Sequence, residues 1–208
     1  MQDDKPFVNA PVITATAWLF WCLLHSLLIT NSLTAYLRRL LGRRYAFFRI
    51  FYNLFSLLSA AAVFFLQVRL PRQLLWSWHG EWRILQGALL LYAFFMLAAG
   101  ARVYDLSAFS GISQIRSYRR GTTAAGMPFT CKGILQVVRH PWYSGGLAFL
   151  WGVGHISDVS LPAKVVLSAY LVIGAMLEER KLRAALGDAY AAYQRRVPMF
   201  FPWKGFRR

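Results

Sequence analysis

The chain alternates long apolar runs with shorter basic segments. Three runs approach the 20 or so residues that a helix needs to cross a bilayer core of about 30 Å. They cover residues 12–29, 47–66 and 84–100. Two shorter runs, 145–156 and 161–177, are separated by one brief polar stretch, as in a helical hairpin. The pattern predicts an all-α integral membrane protein with about five transmembrane helices, the last two forming a hairpin.

The segments after the third run are polar and basic. Residues 101–143 contain no long apolar run and are expected to form a cytoplasmic loop, and loops of this length usually carry function. The tail, residues 178–208, begins with helix formers, breaks at Gly187 and resumes as a helix that Pro198 ends. We therefore expect a three-helix region at 1–100 and a functional core at 101–208, made of this loop, the hairpin 144–177 and the tail.

Composition and charge support a membrane protein. Apolar residues make up 57% of the chain and charged residues only 15%, which is unusual for a soluble domain. The net charge of +16 does not indicate a nucleic-acid partner, because the basic residues cluster between apolar runs, where they face lipid headgroups. With an external N-terminus, 19 of the 24 Lys and Arg fall on the inner side. The start of the chain lacks the basic region of a signal peptide, so the first run is expected to remain as a helix.

The two cysteines do not suggest a metal site or a disulfide. Cys22 lies in an apolar run and Cys131 in a polar segment far along the chain, so their spacing fits neither. We expect two free thiols and no bound metal.

The residues richest in chemistry stand at the entry to the fourth predicted helix. Arg139 and His140 precede Pro141, and a helix that begins there presents free backbone amides to an anionic group. The alternative is an anchor at the membrane interface, because Arg, Trp and Tyr all favour the headgroup layer.

Two adjacent acids, Glu178 and Glu179, end the fifth predicted helix. Neighbouring helical side chains diverge by about 100°, so these acids cannot face each other as an acid–base pair. We expect one to turn inward and the other to meet basic residues of the tail, Arg180, Lys181 or Arg183, in solvent. An ordinary charged helix end is the alternative. If the hairpin closes, Glu178 and His140 share one membrane level and line one pocket.

These motifs together resemble the C-terminal signature of the isoprenylcysteine carboxyl methyltransferase superfamily of membrane enzymes. The matching segments are Arg139–Gly145, Glu178–Leu182, Gly187–Tyr190, Tyr193, Arg196–Pro198 and Pro202. The resemblance implies that S-adenosylmethionine is the methyl donor and that the site faces the cytoplasm, as in a multi-pass protein of the bacterial inner membrane. The cofactor contacts that it implies are Gln114, Met127, Pro128, Phe129, Thr130, Leu135, His140, Pro141, Trp142, Tyr143 and Glu178.

The differences from that superfamily favour one branch of it. Gly174 stands where the isoprenylcysteine enzymes have an Arg for the substrate carboxylate, one helical turn before Glu178. Several other positions resemble the bacterial methanethiol S-methyltransferase branch, which implies a small thiol as acceptor. They are His25–Ser26, Arg49, Tyr52–Asn53, Asp105–Leu106, Phe109, Gly111, Gln114, Tyr118 and Gly121.

A thiol acceptor must become a thiolate, because only the ionised form is a strong nucleophile. Arg139 and Arg49 are the candidates for stabilising the thiolate, and His140, His25 and Asp105 are the candidates for taking its proton. Two of these have simpler alternatives. His25 fits a hydrogen-bonded helix histidine near the inner interface, and Asp105 fits an ion pair with Arg102 three residues earlier.

Three other functions compete with thiol methylation. A lipid or prenylcysteine methyltransferase would take its acceptor from the bilayer, between helices. A pyridine-nucleotide membrane reductase has a similar Arg-His-Pro unit, but those enzymes have roughly twice as many helices. The N-terminal half also resembles a non-catalytic membrane protein of denitrification gene clusters.

Overall fold

The computed structural model describes residues 9–122 and 129–204, which pack into two compact units. The first unit contains residues 9–75, 105–122 and 156–166. The second contains residues 76–104, 129–155 and 167–204. The predicted division of the chain into a three-helix region, 1–100, and a functional core, 101–208, stays a prediction.

The described residues are mainly helical. The helices are α1 (Ala10–Leu28), α2 (Asn31–Leu41), α3 (Phe48–Arg69), α4 (Trp82–Val103), α5 (Leu106–Ser110), α6 (Ile112–Arg120), α7 (Pro141–Gly152), α8 (Ser160–Leu186) and α9 (Asp188–Arg196). Short 3₁₀ turns cover Gly42–Phe47 and Gly133–Gln136. Two short strands, β1 (Leu74–Trp76) and β2 (Ile156–Ser157), pair with each other.

Four helical stretches of the described chain are long and apolar enough to cross a membrane. They are Ala10–Leu28, Asn31–Arg69, Trp82–Val103 and Ser160–Leu186. The protein is therefore a helical membrane protein, as the apolar runs predict. Helix α7 has 12 residues, fewer than the 20 or so that a bilayer requires, so the count of five spans stays a prediction.

The described chain also contains one strand pair, β1–β2, which the all-α prediction did not include. A side chain at the predicted hairpin turn explains where this pair forms. Asp158 accepts a hydrogen bond from the backbone N–H of Gln73 at 2.7 Å, and its own N–H donates to the Gln73 carbonyl at 3.1 Å. This two-sided bond holds extended chain beside extended chain, which a hydrophobicity pattern does not reveal.

The segment expected to be a loop, 101–143, contains two helices and a 3₁₀ turn. Helix α5 begins at a side-chain cap on Asp105. Gly111 then reverses the chain at φ +96°, a left-handed conformation that favours glycine, and α6 follows at once. Gly121, also left-handed, ends α6.

Small residues in the second unit let α7 lie close against α4. A Cβ on Gly145 would stand 3.0 Å from the Ala93 carbonyl, and one on Gly152 would stand 3.1 Å from Leu89 Cβ. Close approach of backbones at small residues is typical of helix contacts inside membranes. It fixes the start of α7, where the candidate site lies.

Candidate active site

The junction that leads into α7 is held by the tail of the chain. Arg139 donates its backbone N–H to the Pro198 carbonyl at 2.9 Å, and His140 donates its own to Met199 at 3.1 Å. His140 is the N-cap residue of α7 and is only 2% exposed. Pro141 follows at the first helical position, where its missing N–H costs nothing.

Glu179 is the centre of a buried ion-pair cluster. Its Oε1 accepts from Arg139 Nε at 2.5 Å and lies 3.2 Å from His140 Nε2, and its Oε2 accepts from Gln194 Nε2 at 2.8 Å. The Arg139 guanidinium also donates to the carbonyls of Gln194 and Val197. The side chains of Arg139 and Glu179 are 10% and 12% exposed. Arg139 therefore joins the α7 junction, α8 and α9.

The expectation left open which of the two acids turns inward, and in the structure it is Glu179, which lies against Arg139. Glu178, its neighbour, is the outer acid, with its side chain 46% exposed. The roughly 100° between successive helical positions separates the two carboxylates, and the phase of α8 decides which one is buried.

Glu178 keeps most of its capacity to accept hydrogen bonds. Tyr143 donates its hydroxyl to Glu178 Oε2 at 2.9 Å, and His140 Nδ1 lies 3.9 Å from the same oxygen. No other hydrogen bond to this carboxylate comes from the described residues. A Cβ on Gly174 would stand 3.3 Å from the Tyr143 ring, so this tyrosine packs against α8 at Gly174. The result is a half-exposed carboxylate oriented by a tyrosine.

His140 is neutral at pH 7. Burial lowers its pKa below the usual 6.5, and the charges of Glu178 and Glu179 only partly oppose that effect. A carboxylate accepts and does not donate, so the neutral ring must carry its proton on Nε2, toward Glu179. The unprotonated Nδ1 is therefore the nitrogen on the Glu178 side.

Aromatic rings form one wall beside this carboxylate. Trp142 donates its indole N–H to the Leu97 carbonyl at 3.1 Å and packs against Gly100. The Tyr104 ring lies 4.7 Å from Trp142. Burial, together with the nearby Glu178 charge, raises the pKa of Tyr104 to about 12, so its hydroxyl stays protonated. Sequence reasoning missed Tyr104, and no motif marks it.

Two other predicted cofactor contacts of the second unit, Phe129 and Leu135, contact α9. The Phe129 ring packs edge-on against Tyr190 and Tyr193, at 5.7 and 5.8 Å. Leu135 is buried, and its carbonyl accepts from the Tyr193 hydroxyl at 2.5 Å. Thr130 Oγ1 accepts from the Lys132 N–H at 3.4 Å. Met127 and Pro128 lie outside the described residues.

Four predicted site residues belong to the first unit. Arg49 Nε donates to the Phe109 carbonyl at 3.1 Å, and Gln114 Nε2 donates to the Ala108 carbonyl at 3.1 Å. Asp105 caps α5 by accepting from the N–H groups of Ser107 and Ala108. The Ser107 hydroxyl, with these amides, lowers the pKa of the Asp105 carboxyl.

His25, the fourth, lies between α1 and α3. Its Nδ1 is 2.9 Å from Ser56 Oγ and its Nε2 is 2.6 Å from the Tyr52 hydroxyl, while the Trp21 ring stacks on it at 4.7 Å. This arrangement agrees with the alternative of a hydrogen-bonded helix histidine.

Comparison with known proteins assigns the family. A model of the NnrU protein family matches residues 13–201, nearly the whole chain. The protein belongs to the NnrU family. No solved structure matches it significantly.

Curated relatives of this NnrU-family protein carry one enzyme name. A methanethiol S-methyltransferase of Crocosphaera subtropica is 27% identical over 217 residues, which cover 98% of this chain and 79% of that protein. A methanethiol S-methyltransferase of a Pseudomonas species is 30% identical over 61% of this chain and 49% of its own length. Methanethiol S-methyltransferase 1 of Bradyrhizobium diazoefficiens is 32% identical over 45% of this chain and 33% of its own length. The matched region thus spans half or less of the last two.

The NnrU-family chain also has a second anchor for its tail that the sequence did not indicate. Ser144 Oγ donates to the Phe200 carbonyl at 2.7 Å, and the Tyr92 hydroxyl reaches the same carbonyl at 3.1 Å. Ser144 is fully buried. The available signal was a hydroxyl directly before the apolar run 145–156, because a buried hydroxyl requires a partner.

Proposed function

We propose that this NnrU-family protein is an S-adenosylmethionine-dependent membrane methyltransferase that methylates the sulfur of a small thiol such as methanethiol. The observation that best supports this proposal is the Glu178 carboxylate, which is half exposed, is oriented by Tyr143 and lies beside the buried Glu179 cluster. The near full-length similarity to the Crocosphaera enzyme supports the reaction and the acceptor.

The residues present fit the chemistry of this methyl donor. S-adenosylmethionine carries a positive sulfonium, an ammonium and ribose hydroxyls, and it supplies an electrophilic methyl group. Glu178 would balance positive charge and accept from donor groups, while the wall of Trp142 and Tyr104 offers aromatic faces to an adenine or a cation. The remaining predicted contacts, Phe129, Thr130 and Leu135 with Gln114, Met127 and Pro128, stay proposals.

The lack of an available cation near Glu178 indicates which class of methyl acceptor the site suits. A carboxylate acceptor needs a cation, and leaving one in this site without a cation would cost several kcal/mol. Gly174 provides no cation, and the Tyr143 ring packs against it. The Arg139 guanidinium is used by Glu179 and two carbonyls. A small thiol makes no such demand, so a thiol fits better than a prenylated carboxylate.

The thiol proton needs an acceptor, and His140 is the residue that we assign to this task. The ring is neutral, its Nε2–H is fixed on Glu179, and its Nδ1 keeps a lone pair. Arg139 acts as a positioning residue, because it holds Glu179 in place. His25, Arg49 and Asp105 stay proposals for catalysis. Each of them already makes the structural hydrogen bonds described above.

We also propose that the site faces the cytoplasm of a bacterial inner membrane, because 19 of the 24 basic residues then lie inside. Cysteines introduced as Asp3→Cys or Lys204→Cys, in a chain without Cys22 and Cys131, test this in intact cells. We expect an impermeant maleimide to label only position 3. Labelling of position 204 from outside would reverse the topology.

The activity assay incubates the detergent-purified protein and labelled S-adenosylmethionine with methanethiol, and in parallel with a farnesylated cysteine. We expect the thiol to be methylated at a rate that rises with pH until the thiolate fraction saturates. Methylation of the farnesylated substrate alone would refute the proposed acceptor. Absence of both products and of cofactor binding would favour the non-catalytic alternative.

Cofactor binding is measured separately by calorimetry. Glu178→Gln is expected to weaken S-adenosylmethionine binding about tenfold or more, because a charge-assisted contact is worth about 1.5–3 kcal/mol. Glu81→Gln, an exposed acid at the start of α4, is the matched control and should bind normally. Thermal protection by NADPH in place of S-adenosylmethionine would indicate a reductase.

A further inference from the structure

A second candidate binding site lies in the first unit, and none of its lining residues has an assigned role in the proposed methyl transfer. It is an open cavity of about 270 Å³ lined by Ile50, Ile112, Ile115, Arg116 and Arg119. Three isoleucines make it apolar, and two guanidinium groups stand at the same cavity. Such a mixture suits a ligand that is both apolar and anionic.

One face of α6 provides four of these five residues. Positions 112, 115, 116 and 119 follow the i, i+3, i+4, i+7 spacing, which gathers side chains on one side of a helix. A face that packs into a protein core has apolar residues at all four positions. Here half of the face is cationic, so it is suited to something other than the core.

Close packing and hydrogen bonds fix the backbone around the cavity. The Cβ position of Gly111 would lie 2.9 Å from the backbone N of Ile50, so the α5–α6 junction touches the first turn of α3. Asn53 Nδ2 donates to the carbonyls of Phe109 and Ser110 at 3.0 and 3.2 Å, and Arg49 donates to Phe109 as well. These bonds hold α5, and with it the junction that leads into α6, against the start of α3.

Among the described residues, the two arginines of the cavity differ from their neighbours in the contacts that they make. Arg43 donates to the Tyr118 carbonyl and stacks on the Tyr118 ring, and Arg49 bonds to Phe109. Within residues 9–122 and 129–204, neither Arg116 nor Arg119 donates a hydrogen bond or forms an ion pair. Asp105 influences Arg116 only through its charge. Two positive charges are thus available to an external anion.

The cavity also lies at the start of α3, the second α-helix of the apolar stretch Asn31–Arg69. Ile50 is the third residue of α3, whose 22 residues extend about 33 Å, the thickness of a bilayer core. Phosphate headgroups are found at that depth, with acyl chains directly beneath them.

We propose that this cavity binds an anionic phospholipid, with its phosphate at Arg116 and Arg119 and an acyl chain against the three isoleucines. The test is native mass spectrometry of the whole purified protein with added phosphatidylglycerol, phosphatidylcholine or glycerol 3-phosphate. We expect phosphatidylglycerol to bind more tightly than the other two. The double variant Arg116→Gln/Arg119→Gln should lose about fivefold in affinity for each arginine removed.

Matched variants separate a site from general surface charge. Arg180→Gln/Arg183→Gln removes the same charge from exposed positions of α8 and should leave lipid binding unchanged. Ile115→Ser keeps the charge and should weaken both lipids. Equal binding of the two lipids, equal losses in the two double variants, or glycerol 3-phosphate binding as tightly as the lipid would each overturn the proposal. None of these measurements requires methyltransferase activity.

Discussion

Glu178→Gln and Glu179→Gln, which change two adjacent acids, should have different effects on the stability of the protein. Glu179→Gln removes the anion from a cluster in which Arg139 and Glu179 are 10% and 12% exposed. Breaking a buried ion pair by removing one partner costs about 3–5 kcal/mol, because the remaining charge is left without its counter-ion. The carbonyls of Gln194 and Val197 still accept from Arg139, which favours the lower end of that range.

This loss is measurable as a melting temperature. For a chain of 208 residues, each kcal/mol corresponds to about 2–4 °C, so Glu179→Gln should melt about 6–20 °C below the parent protein. Glu178→Gln should melt within about 2 °C of it, since an exposed acid contributes little to stability. The assay is thermal unfolding in detergent without cofactor, followed by intrinsic tryptophan fluorescence.

A double variant tests the physical reason. Arg139→Met with Glu179→Met replaces both charges by apolar side chains, which is often nearly neutral for a buried pair. We expect this double variant to melt above Glu179→Gln alone. The reasoning is refuted if Glu179→Gln melts with the parent protein, or if Glu178→Gln is destabilised as strongly as Glu179→Gln.

Three further predictions concern stability. Gly100→Ala should cost about 1–3 kcal/mol, because its Cβ would stand 2.5 Å from the Trp142 indole, whereas Gly87→Ala in the same helix meets nothing within 4 Å and should not destabilise. Burial lowers the pKa of His140, so the unfolded chain takes up the proton first as pH falls. The melting temperature should therefore be at its plateau above about pH 6.5, the pKa of an unfolded histidine, and should fall as the pH drops toward the lower pKa of the folded state. His140→Asn should flatten this dependence of melting temperature on pH. Asp105→Ala removes the cap of α5 and should lower the denaturant midpoint of unfolding, while Asp105→Asn, which can still accept from the amides, should lower it less.

Features that depend on neighbouring residues were predictable from the sequence. Four of the five apolar runs correspond to the long helices α1, α3, α4 and α8, because run length and composition alone decide whether a helix can span a bilayer. The break at Gly187 between α8 and α9 is confirmed, since Gly187 is left-handed at φ +56°. The resemblance to the methanethiol S-methyltransferase branch agrees with the relatives.

Features that depend on distant residues were decided only by the tertiary structure. Glu179 meets Arg139 forty residues away, and the choice between the two acids depends on how α8 is rotated against the α7 junction. The tail reaches that junction through carbonyls of residues 198–200, and backbone acceptors leave no trace in a sequence. The turns at Asp158 and Gly111 likewise fold segments that hydrophobicity predicts as loop. The apolar pattern determines which segments can enter the membrane, whereas packing determines which polar side chain is buried with a partner and which remains open to a ligand.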